Sequence, residues 1–136
     1  MHGIDTNVLV YAFDKDEGEK YRKAKKLLNQ IIDGKETVLL ASQVCGEFIV
    51  ATTKKLSKHL SKQEANSIIR NLTLLPNVRT AHYTHTTVLA ASESDAPLWD
   101  AVLAQTLLEN GVKTLYTENE KHFVNSGVKT INPVKI

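Results

Sequence analysis

The sequence predicts a three-layer α/β/α sandwich with a central parallel sheet of four to five strands. Short apolar runs rich in Val, Ile and Leu alternate along the chain with amphipathic segments of helical period. This alternation is typical of strands joined by helical crossovers, which place helices on both faces of a parallel sheet. The chain has 136 residues, of which 42% are hydrophobic and 24% charged, and no linker-like stretch interrupts it. We therefore expect one domain over residues 1–136.

The first part of the chain predicts two strands, each followed by a helix. Residues 3–12 are an apolar, β-favouring run that leads from a strand into a helix. Apolar positions recur at helical spacing over residues 20–33, with lysines between them on a solvated face, and Gly34 supplies the stop. Residues 37–41 form a second apolar strand. Ser42 then stands where a helix cap is expected, and the helix continues to about Thr53.

The middle of the chain predicts two more helices around a third strand. Residues 61–64, Ser-Lys-Gln-Glu, match a capping box that opens a helix to Leu72. Residues 78–81 are a candidate strand after Pro76, and residues 84–92 are helical in pattern. Three residues of this helix are expected to contribute to the core: Val88, Leu89 and Ala91.

The last part of the chain predicts a long apolar helix and two strands. Asp95 is placed to cap a helix whose first turn contains Pro97, and Gly111 ends it. Strands are then expected over residues 113–117 and 128–131.

Composition limits the classes of function. Cys45 is the only cysteine, so no intrachain disulfide can form, and its apolar helical context predicts an inert core thiol. The net charge of +2 is too small to indicate a nucleic-acid binder by itself. The apolar run at residues 8–13 is too short to cross a bilayer, and the amino terminus lacks the pattern of a signal peptide. We expect a cytoplasmic protein with no membrane association.

Three acidic residues stand where the carboxyl ends of parallel strands place ligand-binding groups. Asp5 ends the first predicted strand, Glu47 lies early in the helix after the second, and Asp100 lies in the first turns of an apolar helix. A carboxylate near the core must be paired, hydrogen-bonded or metal-bound. Each acid also has a structural interpretation: Asp5 as a helix cap, Glu47 as a solvated residue, and Asp100 as a complement to its helix dipole.

A fourth segment adds oxygen ligands directly after the next strand. It contains Thr117, Glu118, Asn119 and Glu120. Carboxylate and carboxamide oxygens suit hard divalent cations such as Mg²⁺, which polarise a phosphoryl oxygen, activate water and offset charge on the leaving oxygen. A zinc site is disfavoured because the five histidines show no ligand spacing with a cysteine. The four segments together predict phosphodiester hydrolysis.

The same residues carry a family resemblance that covers essentially the whole chain in order. Its four parts are Ile4-Asp5-Thr6-Asn7-Val8-Leu9-Val10-Tyr11-Ala12, Ser42 with Glu47, Trp99-Asp100-Ala101, and Leu115-Tyr116-Thr117-Glu118-Asn119. In these the chain resembles the PIN-domain ribonucleases, including VapC-type toxins.

The resemblance implies a Mg²⁺- or Mn²⁺-dependent endoribonuclease in which three acids bind the metal and act in catalysis: Asp5, Glu47 and Asp100. Four polar residues would support them: Thr6, Asn7, Ser42 and Thr117. Thr6 and Asn7 would help to shape the turn beside the metal, and Thr117 would hydrogen-bond a ligand or water. A homodimer and a cognate antitoxin are the partners that the resemblance implies, with RNA as substrate.

The chain departs from the family pattern at one position. Asn119 stands where the resemblance leads us to expect a fourth acid, usually aspartate. An amide offers an oxygen ligand without charge. Asn119 or Glu118 is therefore expected to complete the metal site, with Glu120 as a further candidate, and the site is expected to be weakened or to hold a single ion.

Three other functions are open to a chain with this pattern. A haloacid-dehalogenase-like phosphatase would need a second aspartate and a hydroxyl residue, where this chain has Asn7 and Leu9. A response-regulator receiver shares only the expected fold. A PIN-fold RNA-binding or RNA-processing module with weak or no catalysis would account for Asn119.

The RNA that is recognised cannot be specified from the sequence. Four residues are candidates to contact single-stranded RNA: Tyr11, Trp99, Lys54 and Lys55. The apolar helix around Trp99 favours packing over base stacking for that side chain.

Overall fold

The computed structural model describes residues 1–136, and a five-stranded sheet lies at its centre. The strands are β1 (His2–Ile4), β2 (Val38–Ala41), β3 (Val78–Ala81), β4 (Thr114–Tyr116) and β5 (Lys129–Ile131). They lie in the order β3-β2-β1-β4-β5, and all neighbours are parallel. The chain runs outward from β1 to β3 and then crosses over to β4 and β5. The boundary between β1 and β4 is thus a topological switch point, where open α/β sheets bind ligands.

Six α-helices cover the sheet. They are α1 (Thr6–Tyr11), α2 (Glu19–Ile32), α3 (Ser42–Lys54), α4 (Lys62–Thr73), α5 (His85–Ala91) and α6 (Leu98–Glu109), with two 3-10 turns at Lys15–Glu17 and Glu120–Phe123. Helices α2 and α3 both pack against α1, and α4 packs against α3. Helix α5 packs against α6, and α6 contacts β2. The predicted α/β/α fold is confirmed, with five strands. No helix combines the length and the apolar composition needed to span a membrane.

A glycine allows the central strand and α6 to pack closely. A Cβ atom added at Gly3 of β1 would lie 2.6 Å from Cδ2 of Leu107, which is fully buried in α6. Neighbouring Leu39 and Leu115, in β2 and β4, have no exposed surface. The glycine therefore lets α6 lie directly against the middle of the sheet, through a contact near the carboxyl end of α6.

The predicted helix starts are confirmed in one case and wrong in two. The Ser61 hydroxyl accepts from the Glu64 amide at 3.0 Å while the Glu64 carboxylate accepts from the Ser61 amide at 3.1 Å, so the capping box is present. Ser42 does not cap α3, because Ala41 holds the cap position and no side chain bonds to it. Asp95 does not cap α6, because the helix begins after Pro97 and the residue before a proline is disfavoured from helical geometry.

One predicted core residue lies at the surface. Leu89 is 62% exposed, whereas Ala91 is buried and Val88 packs against a small second core with Val102. Helix α5 has seven residues, so it buries a narrow stripe and leaves Leu89 on the other side.

Candidate active site

The predicted acids meet at the carboxyl edge of the sheet. Asp5 follows β1 directly, Glu47 lies in the second turn of α3, and Asp100 lies in the first turn of α6. All three line one open cavity of about 720 Å³, which we call the acidic cavity, and Asn119, which follows β4, lines it as well. Residues from four separate parts of the chain therefore share one cavity.

Asp5 is held by hydrogen bonds on both carboxylate oxygens. Its Oδ1 accepts from the Thr6 amide at 2.8 Å, and its Oδ2 accepts from the Thr117 hydroxyl at 2.7 Å and from the Asn7 amide group at 3.5 Å. Burial raises the pKa of Asp5 to about 6; the bonds from Thr117 and Thr6 oppose this rise, and the charges of Asp100 and Glu47 add to it. Asp5 caps α1 and also lies in the acidic cavity, so the two interpretations of this residue are compatible.

Glu47 is fixed from the first turn of α1. The Thr6 hydroxyl donates to Oε1 of Glu47 at 2.7 Å. Because the Thr6 backbone also bonds Asp5, this one residue orients two of the three acids. Glu47 itself is exposed, as a group that contacts a ligand from solvent must be.

Asp100 has a partner that sequence reasoning did not assign to the site. Nδ1 of His122, from the 3-10 turn after β4, lies 2.7 Å from Oδ2 of Asp100. His122 belongs to the polar segment after β4, which the sequence marks as a candidate part of the site. Its contact with Asp100 could not be predicted, because the two residues lie in separate elements far apart in the chain.

Glu118 and Asn119 differ in what they contact. The Glu118 carboxylate accepts from the Tyr11 hydroxyl at 2.6 Å and pairs with Nζ of Lys20 at 2.7 Å. Burial raises the pKa of Glu118, but these two bonds outweigh it and lower the pKa below its usual value. Asn119 donates its backbone amide to Oγ1 of Thr117 at 3.0 Å and lies in the cavity lining, to which Glu118 does not contribute.

Lys20 is consequently not a purely solvated member of the lysine face of α2. Its ammonium group lies 5.3 Å from the centroid of the Tyr11 ring as well as beside Glu118. Together Tyr11, Lys20 and Glu118 attach the segment after β4 to α1 and α2.

The donor set fits a hard divalent cation. None of Asp5, Glu47 and Asp100 is paired with a lysine or arginine, and the one nitrogen base in contact with them is the His122 ring beside Asp100. Burial raises the pKa of Asp5, and the charges of Asp100 and Glu47 add to this rise; a bound cation would offset the repulsion among the three acids. As the side chains stand, no three acidic, histidine or cysteine groups converge on one point, so binding an ion requires rotamer adjustment.

A basic group and a glycine complete the cavity wall. Lys55, one of the predicted RNA contacts, lines the cavity, whereas Lys54 does not. Gly46 lies beside Glu47 in α3 and is exposed. The sequence offered no pattern that would single out Gly46.

A second, smaller groove of about 460 Å³ adjoins the acidic cavity. Its lining consists of Ser42, Gln43, Gly46, Glu47, Tyr83 and Trp99. Trp99, for which the sequence favours packing over base stacking, is 49% exposed, and its ring lies edge-to-face against Tyr83. Its position in the first turn of α6, before the buried residues of that helix begin, leaves it at the surface.

Comparisons with solved structures agree with this architecture. The chain is similar to VapC20 of Mycobacterium tuberculosis, a Sarcin-Ricin loop cleaving toxin, with 16% identity, a TM-score of 0.67, and coverage of 90% of this chain and 92% of that one. A toxin-antitoxin complex from Klebsiella pneumoniae matches with 20% identity, a TM-score of 0.63 and full coverage of both chains. FitAcB from Neisseria gonorrhoeae matches with 16% identity, a TM-score of 0.65 and full coverage of both.

Comparison of the sequence with known proteins and with family models gives two results. No curated protein sequence matches the chain significantly. The family model described as the PIN domain, however, matches residues 4–126, which span all three acids and Asn119. The chain belongs to the PIN domain family.

Proposed function

We propose that the protein is an endoribonuclease that hydrolyses RNA phosphodiester bonds with Mg²⁺ or Mn²⁺. The observation that carries the proposal is the convergence of Asp5, Glu47 and Asp100 in one cavity at the switch point of the sheet. The PIN domain match and the toxins among the similar structures support the same chemistry.

Four side chains would hold the ion: Asp5, Glu47, Asp100 and Asn119. When bound, it supplies Lewis-acid polarisation of the phosphoryl oxygen and lowers the pKa of water. Glu118 is a weaker candidate as a ligand, because its carboxylate already pairs with Lys20 and Tyr11.

The surrounding residues keep the acids in place. Thr6 bonds Asp5 through its backbone amide and Glu47 through its hydroxyl, whereas the Thr117 hydroxyl bonds both Asp5 and the Asn119 amide. Each threonine therefore restricts two groups of the site. Asn7 bonds Asp5 and the Glu118 amide, and so orients the segment after β4. Lys55 on the cavity wall attracts the anionic RNA backbone, which the acids alone would repel.

The biological setting that we propose is a toxin–antitoxin pair. FitAcB and the complex from Klebsiella pneumoniae support this setting by their architecture alone, since their identities to this chain are low. We propose that the chain forms a homodimer, binds a cognate antitoxin and acts on RNA in the cytoplasm.

Cleavage of an unstructured and a stem-loop RNA tests the proposal. Wild type, Asp100→Asn and Asp33→Asn are compared in Mg²⁺, Mn²⁺ and EDTA, with Asp33 chosen as an exposed acid at the end of α2. We expect cleavage in Mg²⁺ or Mn²⁺, none in EDTA, a loss of at least about 100-fold in Asp100→Asn because charge at the ion is removed, and no change in Asp33→Asn.

An inactive wild type that still binds RNA would replace the nuclease with an RNA-binding module. Asn119, which lowers the charge of the site by one carboxylate relative to the family pattern, is the residue that favours this second function. Cleavage that persists in EDTA would contradict both.

A further inference from the structure

We propose that the groove beside the acidic cavity holds one unpaired nucleobase of the RNA that is cut there. The aromatic groove, as we name it, is the groove of about 460 Å³ lined by Ser42, Gln43, Gly46, Glu47, Tyr83 and Trp99. The proposal rests on the nuclease function, because it assigns the bound base to the same RNA chain.

The aromatic groove is continuous with the acidic cavity. Gly46 and Glu47 line both. Lys55 belongs to the acidic cavity and not to the aromatic groove, so phosphate-attracting charge and aromatic surface lie in adjoining spaces. A nucleotide whose phosphate lies at the acids would therefore meet the aromatic groove with a neighbouring base.

The two aromatic side chains form an exposed stacking surface. Trp99 and Tyr83 are 49% and 37% exposed, and their ring centroids lie 5.8 Å apart in an edge-to-face arrangement. Stacking on aromatic rings is the usual means of holding unpaired bases, since every base has a π-face. An RNA base of any identity would cover this surface.

Gln43 fixes the backbone of Trp99 and adds a polar group. Its Nε2 donates to the Trp99 carbonyl at 2.9 Å, which links α3 to the first turn of α6. Its Oε1 is buried without a donor from the protein. An N–H group on the edge of a base in the aromatic groove could satisfy it after a small movement of the amide.

Gly46, which lines both the acidic cavity and the aromatic groove, leaves open space that packing of the protein does not require. It lies inside α3, and a Cβ atom added there would have no atom within 4 Å. Glycine inside a helix is less favourable than alanine, so the residue brings no benefit to folding. Close passage of an RNA backbone between the two spaces explains an open position at this point.

The test uses an unstructured oligoribonucleotide, together with copies in which one nucleotide near the cut lacks its base. Four variants are compared with wild type for kcat/KM: Trp99→Ala, Trp99→Phe, Gly46→Leu and Leu74→Ala. Leu74 is 75% exposed outside both spaces and serves as the matched apolar control. Circular dichroism and thermal unfolding check that each variant is folded. Trp99 is the only tryptophan, so its fluorescence in EDTA reports base stacking separately from cleavage.

We expect kcat/KM to fall about 10- to 100-fold in Trp99→Ala, because one stacked base contributes that much. Trp99→Phe should restore most of this activity, Gly46→Leu should lose it while remaining folded, and Leu74→Ala should resemble wild type. Removing the base at one position should reduce cleavage by wild type to a similar degree, with little further effect in Trp99→Ala. RNA should quench Trp99 fluorescence.

The remaining outcomes separate the two proposals. If wild type cleaves but neither Trp99→Ala nor any missing base changes kcat/KM, the aromatic groove is not a base site and the nuclease stands. If wild type does not cleave, but intact RNA quenches Trp99 and the copies lacking one base quench it less, the nuclease fails and the aromatic groove is a base site for RNA that is bound without being cut. Neither cleavage nor quenching overturns both.

Discussion

At the scale of single residues, Asp5 combines a structural and a chemical role. It caps α1 through the Thr6 amide and lies beside Glu47 and Asp100 in the acidic cavity. Both roles favour a carboxylate, but burial at 6% exposure penalises its charge. The protein without a cation therefore holds a carboxyl group that favours its protonated form more than an exposed one would.

The pH dependence of stability follows from this pKa. The folded-state pKa of about 6 exceeds the ordinary value of 3.8, so Asp5 supports folding fully below about pH 3.8 and loses this support as pH rises through 6. In EDTA, Asp5→Asn should be more stable than wild type by up to about 3 kcal/mol near pH 7.5, with no gain near pH 4. Urea unfolding at both pH values measures this. Equal loss of stability at both would show that the carboxylate itself is required for folding.

The identity of the fourth ligand is also decided by individual residues. Asn119 lines the acidic cavity, while Glu118 is engaged by Lys20 and Tyr11. Asn119→Asp should therefore raise Mn²⁺ affinity by about tenfold, because it adds charge at the ion. Glu118→Gln and Glu120→Gln should leave the affinity unchanged. Calorimetric titration checks all three; no gain in Asn119→Asp, or loss of binding in Glu118→Gln, would reverse the assignment.

The role of a single residue can be predicted from the sequence where its neighbours in the chain show that placing it there is energetically unfavourable. Asp5 stands out because a charge in an apolar run must be compensated. His122 and the contacts of Glu118 do not, because each depends on which side chain lies opposite in the folded chain. The half-exposed position of Trp99 was not predictable for the same reason: an apolar neighbourhood in sequence does not show on which side of a helix a ring lies.

At the scale of elements, two glycines serve opposite purposes. Gly3 is needed because Leu107 occupies the space of a side chain, whereas Gly46 has open space around it. The first allows α6 to approach the sheet, and the second lies on the wall between the acidic cavity and the aromatic groove.

Alanine at these two positions should change stability in opposite directions. Gly3→Ala should lower the free energy of unfolding by about 1 to 3 kcal/mol through overpacking against the buried Leu107. Gly46→Ala should raise it by roughly 0.5 to 1 kcal/mol, because alanine favours the helix. Urea unfolding of both variants checks this pair. A stable Gly3→Ala, or a Gly46→Ala that is destabilised, would contradict the packing described for that position.

Elements are predictable where a local pattern determines them. All five strands and the long helices follow from apolar periodicity, and the capping box at Ser61 is present as expected. Exact helix starts are less predictable, since Ser42 and Asp95 are good cap residues, yet Ala41 and Pro97 hold the cap positions of α3 and α6. Cap preference is worth about 1 kcal/mol, which tertiary packing easily exceeds.

At the scale of the whole molecule, the topology assembles the site. The order β3-β2-β1-β4-β5 brings the ends of β1 and β4 together, and α6 adds Asp100 from the opposite layer. Open parallel sheets bind ligands beyond the carboxyl ends of their strands, so the sequence could predict that Asp5, Glu47 and Asp100 lie close together. The distances between them and the aromatic groove beside them depend on packing that no single segment encodes.

The measurement that tests this account most directly follows metal binding and RNA cleavage in the same samples. Mn²⁺ bound per chain and the cleavage rate are measured for wild type, Asp5→Asn, Glu47→Gln, Asp100→Asn and the surface control Asp33→Asn. We predict that both quantities fall together in the three cavity variants and are unchanged in the control, because one ion held by these acids supports hydrolysis. A wild type that cleaves RNA without binding Mn²⁺, or a cavity variant that loses the ion and cleaves at the original rate, would contradict the account.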